Sequence, residues 1–163
     1  EVRGTGIRVG ATICVTGASG YIASVLCSEL KAAGYSVVGT VRDVEKYAKE
    51  SAFDGMRLHR AELLDKASFA AAFAGCDAVM HTASPFWFPN GQHDPMEDFV
   101  RPALEGTQNV LEAAYEAGVR TIVLTSSTGA ITPQNPADFP GEEAGWTRAF
   151  DEDDWSLDST INN

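Results

Sequence analysis

Thr16-Gly17-Ala18-Ser19-Gly20-Tyr21-Ile22-Ala23 decides how the rest of this chain is read. It follows an apolar run, Ala11-Thr12-Ile13-Cys14-Val15, that reads as a buried strand. It opens an amphipathic helix with Ile22, Leu26 and Leu30 on one face. Between such a strand and helix, Gly17 permits a tight turn, Gly20 lets the backbone approach a pyrophosphate, and Ala23 is small enough for close helix–strand packing. The helix N-terminus offers unpaired N–H groups and the positive end of its dipole to the phosphates. The spacing is Gly-x-x-Gly-x-x-Ala rather than Gly-x-Gly-x-x-Gly, and taken alone the stretch is also readable as a tight turn that binds nothing.

Outward from this turn the rhythm is strand, helix, strand, helix. Gly34 stops the first helix. Ser36–Val41 reads as a second strand, followed by a short helix or loop carrying Arg42, Lys46 and Lys49. Met56–Ala61 is a weaker third strand, and Lys66–Phe73 suits a helix with Phe69 and Phe73 one turn apart. Gly75 ends it before a fourth strand, Ala78–His81. A long helix begins between Asp94 and Arg101 and runs to Ala117, with Phe99, Ala103, Val110, Ala114 and Ala117 toward one face and Pro102 in its first turn. Gly118 stops it, and Thr121–Thr125 is a fifth, buried strand. Alternation of this kind predicts an α/β fold with a doubly wound parallel sheet, ligands lying at the strand C-termini.

Bulk properties narrow the function. The 163 residues suffice for one domain with a sizeable core, and 44% are hydrophobic. A net charge of −11 argues against a general nucleic-acid or anionic-membrane binder, and no apolar run is long enough to span a bilayer. The three cysteines, Cys14, Cys27 and Cys76, match no metal spacing and read as buried free thiols. We expect residues 1–10 to be an N-terminal extension, 11–132 the nucleotide-binding domain, and 133–163 an acidic, Pro-rich loop. Its run Asp151-Glu152-Asp153-Asp154 reads as solvated charge.

Several ordered motifs resemble the extended short-chain dehydrogenase/reductases, in particular the dihydroflavonol reductase and cinnamoyl-CoA reductase branch of the epimerase/dehydratase superfamily. They are the glycine turn, Thr40-Val41-Arg42-Asp43, Ala61-Glu62-Leu63-Leu64-Asp65, and Gly75 through Pro85. Glu105 to Ala114, Thr125-Ser126-Ser127 and Phe150 to Trp155 follow in order. The resemblance implies a Rossmann fold, here truncated after about five strands and without a substrate domain. It implies a nicotinamide dinucleotide bound by Gly17, Ser19, Gly20, Tyr21 and Ile22 at the turn. Arg42, at the end of the second strand, favours the 2′-phosphate of NADP over NAD, with Lys49 seven positions on as its family partner. Asp43 beside it, and a plain surface ion pair for Arg42, are the competing considerations. Glu62 and Leu63 stand where the family carries Asp-Leu near the adenine. Thr82, Ala83 and Ser84 run beside the cofactor, although Ser84-Pro85 also reads as a plain turn. His81 belongs to the strand rather than to catalysis.

Ser127 matches the family's catalytic serine, which holds the substrate carbonyl oxygen, with Thr125 and Ser126 as its neighbours. The family's acid is a tyrosine with a lysine four residues on. Here the last tyrosine is Tyr115 and the last lysine is Lys66. The resemblance therefore implies the NADP-binding part of a reductase moving hydride between NADPH and a small carbonyl or alcohol, with the Tyr/Lys pair missing. A non-catalytic Rossmann subunit of a larger assembly, with a protein partner covering the open sheet edge, is the alternative. Phe86, Trp87 and Phe88 read equally as a substrate-pocket wall and as a packed loop. No metal is expected. The expected compartment is the cytoplasm, or an organelle if the start at Glu1 reflects a removed targeting peptide.

Overall fold

The computed structural model describes residues 6–85, 94–131, 151, 153 and 155. The chain divides into a unit over Glu1–Thr125 and a second over Ser126–Asn163. In the first unit β1 (Thr12–Thr16), β2 (Ser36–Val41), β3 (Arg57–Arg60), β4 (Ala78–His81) and β5 (Thr121–Leu124) form one five-stranded sheet in the order β3-β2-β1-β4-β5. Every pairing is parallel. The helices are α1 (Tyr21–Ala32), α2 (Val44–Tyr47), α3 (Ala70–Phe73) and α4 (Arg101–Glu116). This is the doubly wound arrangement that the alternation predicts.

Strand alternation sorts the core into two layers. Cys14, Val38 and Val79 point to one side and pack with Phe69, Phe73, Val110 and Ala114. Ile13, Val15, Val37 and Val41 point to the other and pack with Ala23, Cys27, Leu30 and Phe53. Phe69 and Phe73 stack with centroids 5.3 Å apart. The segment Lys66–Phe73 forms, as a 3₁₀ turn over Lys66–Phe69 running into α3.

Three helix and strand faces differ from expectation. The buried face of α1 is Ala23, Cys27 and Leu30, while Ile22 is 62% exposed in the first turn. The buried face of α4 is Gly106, Val110, Ala113 and Ala114; Ala103 and Ala117 face outward. A π-helical turn over Met96–Val100 leads into α4, and Pro102 sits at the start of α4, just past that turn. Among the described residues β5 is an edge strand rather than a buried one, with Val123 and Leu124 about half exposed, because only β4 pairs with it there.

All three cysteines are free and buried, and burial pushes the Cys27 thiol up to about 11. The expected extension is not loose throughout: Tyr35 Oη donates to the Ile7 carbonyl and the Gly10 N–H to the Gly34 carbonyl. Of the acidic segment, Asp151 and Asp153 are exposed as expected; the rest lies outside the described residues.

Gly39 shows how tightly the turn after β1 rests on the sheet. A Cβ there would lie 2.8 Å from Ala18 Cβ and 2.9 Å from Leu58 Cδ2. We predict that Gly39→Ala lowers unfolding free energy by about 1–3 kcal/mol in urea denaturation. An unchanged midpoint would show that Ala18 does not pack on β2.

Candidate functional site

β1 lies between β2 and β4, so the crossovers leave it in opposite directions and open a crevice at the C-terminal ends of these strands. The glycine turn fills the base of that crevice. Gly17 adopts φ +66°, which side chains disfavour, and a Cβ on it would sit 3.1 Å from Ala83 Cβ. Its N–H donates to Thr40 Oγ1 at 3.1 Å, and the Ala18 N–H donates to the Thr40 carbonyl at 2.8 Å. The Gly20 N–H closes the turn on the Gly17 carbonyl at 2.8 Å. Gly20 N-caps α1 with no side-chain hydrogen bond, and the first turn carries no acid. The helix thus presents its N-terminal N–H groups and dipole uncompensated.

A buried polar knot holds the two strand ends together. Thr16 Oγ1 accepts the Thr82 N–H at 3.2 Å and the Ala83 N–H at 3.1 Å, and lies 2.8 Å from His81 Nδ1. With both its lone pairs occupied, the hydroxyl donates its own proton to Nδ1, which puts the ring proton of His81 on Nε2. Thr82 Oγ1 donates in return to the Thr16 carbonyl. His81 is 2% exposed, and burial pushes its pKa down to about 4. It is a structural residue of β4, as its strand position suggests.

The cleft above this floor encloses about 650 Å³. Gly17, Ser19 and Gly20 form one part of its wall, Arg42 another, Glu62 and Leu63 a third, and Thr82, Ala83 and Ser84 a fourth. Four ordered segments of sequence therefore meet in one place. Tyr21, Ile22, Lys49 and Thr125 are not on this wall. Thr40, Val41, Ala61, Leu64, Phe69 and Pro85 are, although the sequence reading gives them no site role. Their signal was positional: most of them flank a residue that was chosen, at a strand's C-terminal end. The Asp43 carboxylate is engaged in capping α2, accepting from the Lys46 N–H at 3.0 Å. Among the described residues no carboxylate pairs with Arg42, so the surface-ion-pair reading finds no partner there.

Ser126 and Ser127 lie in the second unit, which is described by itself. Ser127 Oγ accepts the Gly129 N–H at 3.1 Å and N-caps a 3₁₀ turn over Thr128–Ala130. Phe86, Trp87 and Phe88 lie outside the described residues. Among the described residues there is no cluster of metal-ligating side chains, and no helix is long and apolar enough to cross a membrane.

The profile of the NAD dependent epimerase/dehydratase family matches residues 13–151. The chain belongs to this family. It is 41% identical over 145 residues to tetraketide alpha-pyrone reductase 1 of Arabidopsis thaliana, spanning 83% of this chain and 44% of that one. It is 43% identical over 143 residues to cinnamoyl-CoA reductase 1 of Oryza sativa subsp. japonica, spanning 83% of this chain and 40% of that one. The chain thus spans less than half the length of these curated relatives. Among solved structures, yeast methylglyoxal/isovaleraldehyde reductase Gre2 complexed with NADPH superposes with a TM-score of 0.72 at 25% identity, over 92% of this chain and 45% of that one. The glycine turn of this epimerase/dehydratase-family chain is therefore placed in the fold where its sequence pattern puts it.

Because His81 is held neutral, folding stability depends on pH in a definite direction. The unfolded histidine binds a proton near pH 6.5 and the folded one only near 4. Stability is therefore complete above pH 6.5 and falls by up to about 3 kcal/mol as pH drops from 6.5 to 4. The advantage of wild type over His81→Gln should narrow across that window in urea titrations. A constant difference would show that His81 is not buried neutral.

Proposed function

We propose that this chain binds NADPH in the cleft and forms the cofactor-binding part of a reductase acting on a small carbonyl or alcohol substrate. The observation that carries this reading is the pairing, on one cleft wall, of an uncapped helix N-terminus at Gly20 with the Arg42 guanidinium at the end of β2. The first suits a pyrophosphate and the second a 2′-phosphate. Fit is supported by the close approach at Gly17, where a Cβ would press on Ala83 at 3.1 Å. The NADPH complex of the structurally similar yeast Gre2 supports it further.

In this reading the N–H groups of the turn, through Tyr21 and Ile22, hold the pyrophosphate, with Ser19 beside them. Arg42 holds the 2′-phosphate, Lys49 adding positive charge near it. Glu62 and Leu63 border the adenine, and Thr82, Ala83 and Ser84 run along the remainder. When bound, NADPH supplies the hydride. Ser127 steadies the substrate oxygen: its Oγ accepts from the Gly129 N–H and retains its own proton to donate. Thr125 and Ser126 carry the chain from β5 to it. No tyrosine or lysine follows Ser127 in the 163 residues.

A non-catalytic subunit of a larger assembly is favoured by one observation, the half-exposed Val123 and Leu124 on the edge strand β5. A stable isolated monomer in analytical ultracentrifugation would count against it.

The cofactor reading is tested at Arg42. By calorimetry, Arg42→Ala should weaken NADPH binding by roughly 1–3 kcal/mol and leave NADH much less affected. Equal losses for both dinucleotides would remove the 2′-phosphate role.

A further inference from the structure

After β3, the Ala61 N–H still bonds the Val41 carbonyl at 3.1 Å, but from Glu62 the backbone leaves the sheet. This segment forms part of the cleft wall, so its shape matters to any ligand. Part of it is held locally. The Glu62 N–H donates to Ser68 Oγ at 3.0 Å, and the Asp65 N–H donates to the Glu62 carbonyl at 3.0 Å. Leu63 is held from far away in sequence. Asn109 Nδ2 on α4 donates to the Leu63 carbonyl at 2.9 Å.

One turn earlier on the same helix, Gly106 is buried and makes room for Leu63. A Cβ at Gly106 would lie 2.9 Å from Leu63 Cβ and 3.2 Å from its Cδ2. Two residues three apart on α4 therefore grip one residue of the wall, one by a hydrogen bond and one by having no side chain. Leu63 in turn packs against the core layer that contains Val110 and Ala114. Packing alone would be served by an apolar residue at 109, but an apolar side chain leaves the Leu63 carbonyl without the amide that binds it.

We propose that Asn109 and Gly106 are positioning residues that set the base-side wall of the cleft, α4 fixing Leu63 as an apolar platform for the purine of an adenine dinucleotide. The proposal rests on the NADPH reading above. It assigns to the far side of the sheet a control over affinity that the glycine turn does not supply. Because neither residue is on the cleft wall, each acts through Leu63 and not by touching the ligand.

The test compares wild type with Asn109→Leu, which keeps the shape and adds no charge, and with Gly106→Ala, which pushes Leu63 from the other contact. Binding of NADPH, adenosine 2′,5′-bisphosphate and inorganic pyrophosphate is measured by calorimetry on each. Loss of one buried hydrogen bond or a displaced Leu63 should weaken NADPH and the bisphosphate roughly five- to twenty-fold, leaving pyrophosphate affinity unchanged. A residue that served only stability would move all three probes together or none. Unchanged affinity for NADPH in both variants, or equal losses for pyrophosphate, would overturn the proposal while leaving the NADPH reading intact. Wild type that binds neither NADPH nor the bisphosphate would remove that reading and the proposal with it. Should Asn109→Leu fail to fold, Gly106→Ala carries the same expectation, since alanine favours the helix itself and its added Cβ presses on Leu63.

Discussion

The contact between Gly17 and Ala83 is the constraint on which the site depends. It exists because β1 and β4 are hydrogen-bonded neighbours, with Thr16 opposite His81, and both chains turn away at the same level of the sheet. The Thr16 hydroxyl then ties the two departing backbones together through the Thr82 and Ala83 N–H groups. With those ends pinned, the turn has no room for a side chain at Gly17, and its curvature delivers Gly20 to the start of α1. The exposed helix N-terminus and the cleft floor follow from this arrangement.

Sheet-level features were legible because they depend on local pattern. The bounds of β2 and β4 follow from short apolar runs closed by glycine or charge, and both match expectation. The convergence of the glycine turn, Arg42, Glu62-Leu63 and Thr82–Ser84 was legible too. All four follow strands, and a doubly wound parallel sheet gathers strand C-termini along one edge.

Helix faces were harder, for a physical reason. In α4, alanine carries no signal of burial, so Ala103 and Ala117 looked as inward as Ala114. The contacts of this helix with Leu63 fall on Gly106 and Asn109, which a hydrophobic pattern passes over. In α1 the buried face is Ala23, Cys27 and Leu30, one residue out of phase with Ile22, which lies exposed in the first helical turn. The pairing of Thr16 with His81 spans 65 residues, and only the strand register brings them together. β5 read as buried because its composition is apolar, whereas burial of a strand is decided by its neighbours.

Family membership and site geometry converge on dinucleotide binding. Binding is therefore the central claim, and backbone amide chemical shifts during an NADPH titration test it most directly. The account predicts saturable shifts concentrated at Gly17 to Ala23, at Arg42 and at Thr82 to Ser84. Absence of saturable shifts, or shifts confined to residues away from the glycine turn, would contradict it.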